Sequence, residues 1–300
     1  MGNRKITRKW LKCDPQQPAY KVAHAAFSHR LNKIAKLSED SSYHFKDDIE
    51  HIHDFRVATR RGQAMLRFFR EFAEPEALDQ VVRSLGKLRK AAGRARDLDV
   101  LIERTRPLEF FLRKRKKAQK RILAGHAEYV DSGLLHSQIE KLCVASQSVT
   151  ANSRLGDVSF GDWAMPILVT IVEKSLAIWP NDTSDIEKLH DLRIELKHLR
   201  YTIELAGSAL DPKIKSETYP LLRSVQNVLG NINDHGVAIQ NISKWLRKLK
   251  EGKQSIALEE ILKVEIIQLE NALKTFQIDW SSPESHARRD LVDGLHRLGG

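Results

Sequence analysis

Ile49-Glu-His-Ile-His-Asp-Phe-Arg-Val-Ala58 and Ile186-Glu-Lys-Leu-His-Asp-Leu-Arg-Ile-Glu195 are one segment written twice, at an offset of 137 residues. Five of the ten positions are identical, and three more exchange one apolar side chain for another. The offset holds without a gap further along, pairing Leu85 with Leu222, Gly93 with Gly230, Asp97 with Asp234 and Val100 with Val237. One such match can arise by chance; two in register indicate an internal duplication. In both copies the apolar residues recur at spacings of three and four, the period of a helix that buries one face.

That period extends over most of the 300 residues, and no segment alternates apolar and polar side chains as a strand would. Helices are expected near 18–38, 47–73, 76–92, 96–145 (broken within), 160–179, 185–209, 213–229 and 234–277, with a short one near 283–298. Breaks are expected at Ser38–Tyr43, Glu74–Pro75, Gly93, Ser146–Gly161, Pro180–Ser184, Asp211–Pro212 and Gly230, all rich in turn or cap residues. Ser184 followed by Glu187 has the spacing of a capping box. The fold class is therefore all-α. Short links favour antiparallel neighbours, and the duplication makes two pseudo-symmetric four-helix bundles in tandem. A basic tail occupies 1–14; the first bundle spans about 15–150 and the second about 155–300, with the polar Ser146–Gly161 stretch between them.

Composition narrows the function classes. No run approaches the roughly 20 apolar residues of a membrane span. The basic N-terminus leads into Cys13, Asp14 and Pro15 instead of an apolar signal core. Two cysteines far apart supply neither a disulfide framework nor a metal site, so a reducing, cytoplasmic compartment is expected. The net charge of +11 is concentrated: residues 1–150 hold 31 Lys+Arg against 18 Asp+Glu, and the remainder is slightly acidic. An anionic partner would meet the first half.

At about 100° per residue, Arg56, Arg60 and Arg67 fall with His53 inside a wedge of roughly 60°. Ile52, Phe55, Leu66 and Phe69 occupy the neighbouring, inward face. In the second copy His190, Arg193, Lys197 and Arg200 share a wedge of roughly 80° beside Leu189, Leu192, Leu196, Leu199 and Ile203. Each copy thus carries a histidine-led basic stripe along the edge of its core face. Arginine offers a planar fork to phosphate oxygens, lysine a compact charge, and histidine a donor that gains charge on protonation. Groups strung along one helix line suit an extended multivalent anion better than one small phosphate. The alternative is that Glu50, Asp54 or Glu204 holds the stripes as ordinary ion pairs.

Arg89 and Arg96, seven apart, form a second basic pair whose counterparts are the uncharged Gln226 and Asn233. Asp97 and Asp234 are carboxylates in both copies and are expected to cap helices or orient arginines. The run Arg113–Arg121 has seven basic residues in nine and covers every azimuth, so it reads as a solvated charge run or a non-specific nucleic-acid patch. No phosphate-gripping glycine loop, H-E-x-x-H or G-x-S-x-G occurs. The His53-Asp54 and His190-Asp191 pairs echo the centre of a metal phosphohydrolase motif, but adjacent helical residues point about 100° apart and no carboxylate cluster accompanies them.

Four segments together resemble the CHAD family (conserved histidine α-helical domain): H-D-F-R-V-A-T-R-R at 53–61, R-D-L-D-V at 96–100, L-H-D-L-R-I-E-L-K-H-L-R-Y at 189–201 and L-L-R-S-V-Q-N-V-L-G-N-I-N-D at 221–234. The resemblance covers roughly residues 15–300. It leaves no room for the triphosphate-tunnel domain to which such domains are fused elsewhere, so the stand-alone form is expected. It implies two helical bundles around a shared basic cavity, and binding of inorganic polyphosphate without catalysis and without a cofactor. The matching motifs carry His53, Arg56, Arg60, His190, Arg193, Lys197 and Arg200 into that site; Arg67, Arg89 and Arg96 join them by helical geometry and charge. Gln226 and Asn233 depart from the basic pattern, so the second copy is expected to contribute less affinity. The leading expectation is a polyphosphate-binding module, one that could direct the chain to polyphosphate granules. A nucleic-acid binder and a metal-dependent phosphohydrolase are the competing classes. The scarcity of aromatics on the basic faces weighs against base-specific RNA reading.

Overall fold

Helix α2 (Ile49–Phe68) follows from its own pattern: Ile52, Phe55, Ala58, Met65 and Leu66 are buried, and Arg67 lies in its last turn. In the computed structural model, which describes residues 9–44, 49–150, 158–180, 185–282 and 284–298, the other helices follow the same logic. They are α1 (Ala19–His44), α3 (Pro75–Arg104), α4 (Glu109–His126), α5 (Leu134–Thr150), α6 (Phe160–Ala177), α7 (Ile186–Ala206), α8 (Tyr219–Leu246), α9 (Lys253–Phe276) and α10 (His286–His296). Single π turns follow α4 and α9 and precede α8. Among the described residues the one β-type pairing is an isolated bridge between Pro18 and Ser159. The chain is all-α, and none of its described helices is long and apolar enough to cross a membrane.

Side-chain caps set several starts. The Glu74 carboxylate accepts from the backbone N–H groups of Glu76 (3.0 Å) and Ala77 (2.7 Å), with Pro75 as the first helical residue of α3. Asp185 accepts from Glu187 and Lys188, both at 3.1 Å, and so opens α7. Asp211 accepts from Lys213 at 2.7 Å. The capping box read at Ser184 lies outside the described residues. Gly133 adopts φ +73°, the left-handed turn that delivers the chain into α5.

Three expected breaks are continuous helix. Helix α1 runs through Ser38–Tyr43, and the buried Ser38 hydroxyl donates to the Ile34 carbonyl at 2.8 Å, one turn back. Helix α3 runs through Gly93 because Leu85, Leu88, Ala92, Ala95, Leu98 and Leu101 keep a buried stripe on both sides of it. Helix α8 runs through Gly230 on a similar stripe from Leu222 and Val225 to Ile242. A lone glycine costs about 1 kcal/mol in a helix, which this continuous burial outweighs. Asp97 and Asp234 consequently lie inside helices and cap nothing. The interruption in 96–145 falls instead at residues 105–108, which include Pro107, and again at Gly133. Helix α5 continues past Ser146 to Thr150 and α6 begins at Phe160, so only 151–159 of the expected boundary stretch is non-helical or outside the described residues.

The chain divides into two compact units. The first comprises Met1–Asp99, Phe111–Ala164 and Tyr201–Ala209; the second comprises Val100–Phe110, Met165–Arg200 and Leu210–Gly300. In the first, Phe27, Phe68, Phe72, Phe160 and Trp163 surround Phe69, which stacks on Trp163 at 5.4 Å between ring centres. The segment that precedes α1 is tied to the end of α7: Leu11 N–H donates to the Glu204 carbonyl (2.9 Å), and the Ser208 hydroxyl donates to the Leu11 carbonyl (2.9 Å). The Glu204 side chain accepts from Arg61 Nε at 3.0 Å, an ion pair removed from solvent. In the second unit α8 packs along α9, with Leu222, Val225, Leu258 and Ile261 buried. There the buried Glu265 carboxylate accepts from Arg104 (2.9 Å) and lies 2.7 Å from His235 Nδ1.

Candidate functional site

In the first unit α2 sets His53, Arg56 and Arg60 half-buried beside the core, and Arg67 exposed in its last turn. The Arg56 guanidinium crosses to α3, where Nη1 donates to the Arg89 carbonyl at 2.9 Å. Gly93 makes the crossing possible: a Cβ there would lie 3.2 Å from Arg56 Nη1. Burial, followed by the charge of Arg60, lowers the Arg56 pKa to about 10; Asp97 opposes the shift, and Arg89 and Arg96 add to it. Burial also lowers the Arg89 pKa, with Arg60 and Arg67 adding to the effect and Tyr201 opposing it. The charges of Arg60, Arg89 and Arg96 thus reach Arg56, and those of Arg60 and Arg67 reach Arg89. Arg96 presents a buried Nη1 without a hydrogen-bond partner among the described residues.

An arginine cluster that raises its own electrostatic cost, offset by Asp97, is relieved by an anion. Of the carboxylates that could have held the stripe as ion pairs, Glu204 is engaged by Arg61. The side chain of Glu50 lies outside the described residues.

In the second unit α7 carries His190, Arg193, Lys197 and Arg200. His190 Nδ1 is 3.2 Å from Asn233 Oδ1, and Asn233 Nδ2 donates to Asp234 Oδ1 at 3.1 Å. Arg200 Nη1 donates to the Tyr219 hydroxyl at 3.5 Å, and Arg193 and Lys197 are half-buried. Gln226, the counterpart of Arg89, is buried and donates its amide to the Leu196 carbonyl of α7. The two uncharged replacements thus serve α7 itself: one bonds its backbone, the other its histidine. Beside them lies a cleft of about 510 Å³ whose walls are mainly apolar, with Ile186, Leu189, Leu229 and Ile232 flanking His190 and Asn233.

The basic run on α4 separates into two kinds of residue. Arg115 pairs with the buried Asp99 at 3.0 Å, so the second carboxylate of R-D-L-D anchors α4. Lys116, Lys117, Lys120 and Arg121 are exposed. Two features of the first site went unread in the sequence: the passage over Gly93 and the proximity of Tyr201 to Arg89. The recurrence of glycine at 93 and 230 was the available signal for the first. Among the described residues no three His, Cys, Asp or Glu side chains come together to hold a metal.

An all-helical domain with two histidine-led basic stripes on duplicated helices is a defined class of protein. The chain belongs to the CHAD-domain family, whose model matches residues 25–243. It is similar in fold to the crystal structure of the CHAD domain from the plant Ricinus communis, at 21% sequence identity and a TM-score of 0.70, over 98% of this chain and 97% of that one. It is also similar to PptA from Streptomyces chartreusis, at 15% identity and a TM-score of 0.53, over 89% of this chain and all of the other. No curated protein matches the chain.

Proposed function

We propose that the protein binds inorganic polyphosphate without turning it over, through His53, Arg56, Arg60, Arg67, Arg89 and Arg96 in the first unit and His190, Arg193, Lys197 and Arg200 in the second. The observation that carries this reading is the arginine cluster of α2 and α3, in which Arg56 is fixed on the Arg89 carbonyl and Arg96 has a buried N–H with no hydrogen-bond partner among the described residues. Membership of the CHAD family supports it. A repeating phosphate chain supplies anionic oxygens at short intervals, so one ligand can satisfy guanidiniums several helical turns apart. Such binding would also place the protein on polyphosphate granules.

Titration with polyphosphates of defined length at two salt concentrations tests the proposal. Affinity should rise with chain length until the stripes are covered, and should fall steeply with salt as counterions are released. Long-chain polyphosphate should displace duplex DNA and single-stranded RNA at lower concentration than either displaces it. Equal competition would favour a general nucleic-acid surface. Phosphate release on adding Mg²⁺ or Mn²⁺, lost on Asp54→Asn or Asp191→Asn in a folded protein, would make it an enzyme.

The duplicated glycines give a second test. A Cβ at Gly230 meets nothing within 4 Å, whereas one at Gly93 presses on Arg56. Gly230→Ala is expected to stabilise the protein by roughly 0.5–1 kcal/mol, with polyphosphate affinity unchanged. Gly93→Ala is expected to displace Arg56 and weaken binding several-fold. Thermal melts and calorimetric titration distinguish the two, and identical behaviour at both glycines would remove Gly93 from the site.

A further inference from the structure

The outward face of α9 carries a pattern that reads the same in both directions. At about 100° per residue, the buried Leu258, Ile261, Glu265 and Phe276 define the inward face, and Ile256, Ile267 and Ile278 stand roughly opposite it. Those three isoleucines are 58%, 53% and 63% exposed, and Val264 beside them is 53% exposed. The π turn Gln277–Ser281 continues the helix directly, so all three isoleucines lie on one uninterrupted rod. Ile256 and Ile278 are each eleven residues from Ile267, and Glu260 and Lys274 are each seven from it.

We propose that α9 is a homodimer surface, on which a second copy of this chain packs antiparallel about a two-fold axis through Ile267. The axis sets Ile267 against its own counterpart, each Ile256 against the other copy's Ile278, and each Glu260 against the other copy's Lys274. A two-fold interface must be self-complementary in this way. Glu260 already touches Arg106 at 3.3 Å, but both side chains are more than half exposed, so the carboxylate stays available on the outer face. Long-range charge does not oppose the contact. Although the whole chain is +11, the rod from Lys253 to Ser281 has three lysines against five carboxylates. The main intrachain partner of α9 is α8, on the inward side. A second copy accounts for three solvated isoleucines on one line, where scattered single exposure would not place them.

Sedimentation of the full chain between about 1 and 100 µM, without polyphosphate, tests the assignment. A reversible monomer–dimer equilibrium is expected. Ile267→Glu, which sets two carboxylates face to face on the axis, should weaken dimerisation at least tenfold while the circular dichroism stays unchanged. Glu260→Lys should also weaken it, and the exchange Glu260→Lys with Lys274→Glu should restore it to within about threefold. A monomer throughout the range, a dimer indifferent to Ile267→Glu, or failure of the exchange to restore association would each overturn the proposal.

Discussion

Replacing Arg56 and Arg60 together by glutamate is expected to cut polyphosphate affinity by a factor of roughly 100 to 1,000, while the same change at Lys116 and Lys117 costs less than about threefold. The difference follows from shielding. A charge-assisted bond to phosphate from a partly buried guanidinium contributes on the order of 1.5–3 kcal/mol, and each 1.4 kcal/mol is tenfold in affinity. A solvated lysine contributes well under 1 kcal/mol. Arg56 and Arg60 are half-buried and lie within one mutually repelling cluster, whereas Lys116 and Lys117 are open to water. Arg56→Gln removes the charge but is too short to reach the Arg89 carbonyl, so a thermal melt beside the titration separates loss of binding from loss of packing. Calorimetric titration supplies the affinities, and equal losses at the two places would mean diffuse attraction with no defined site. In the second unit the Arg193→Glu and Lys197→Glu pair should cost less than the first-unit pair, because Gln226 and Asn233 bring no charge to reinforce it.

The all-α fold and the two basic stripes were legible because both rest on periodicity, which a sequence displays directly. Ile49 and Ile186 both lie on helices, at the offset read from the repeat. Glycine misled where it was read alone. Gly93 and Gly230 looked like breaks, yet burial on either side carries α3 and α8 through them, and that burial depends on neighbours remote in the chain. Of the two roles expected of Asp97, capping is excluded because the residue lies in mid-helix, and pairing with an arginine is the one it takes, since its charge balances Arg56. Which arginines stay available is likewise a tertiary property. Arg61 looks no different in sequence from Arg60, but Glu204 takes it into a buried ion pair, as Asp99 takes Arg115.

Acidification should destabilise the protein through a histidine outside the stripes. His126, in the last turn of α4, is 2% exposed and sits 5.5 Å from the Phe55 ring. Burial lowers its pKa from 6.5 to about 4, with Asp131 opposing weakly. The unfolded chain therefore takes up the proton first. Stability due to neutral His126 is complete above about pH 6.5 and is lost progressively as pH falls towards 4. The total is on the order of 3 kcal/mol, of which about 2 kcal/mol is gone by pH 5. Urea unfolding of the protein and of His126→Leu at pH 7 and pH 5 isolates this contribution, because other titrating groups are common to both. The wild type should lose about 2 kcal/mol more than the variant between the two pH values; a pH-independent difference would show that His126 protonates freely in the folded state.

The bonds between Leu11 and the far end of α7 bear on how the chain can be synthesised. Leu11 meets Glu204 and Ser208, and the first unit needs Tyr201–Ala209 before it is whole. A ribosome adding about 5–20 residues per second delivers those partners roughly 10–40 s after Leu11 has emerged. During that interval α1 and α2 can pair, but the segment that closes over them has nothing to hold. A nascent chain halted at residue 150 should therefore remain open to protease near Leu11, and protection should appear only when residue 209 has cleared the exit tunnel.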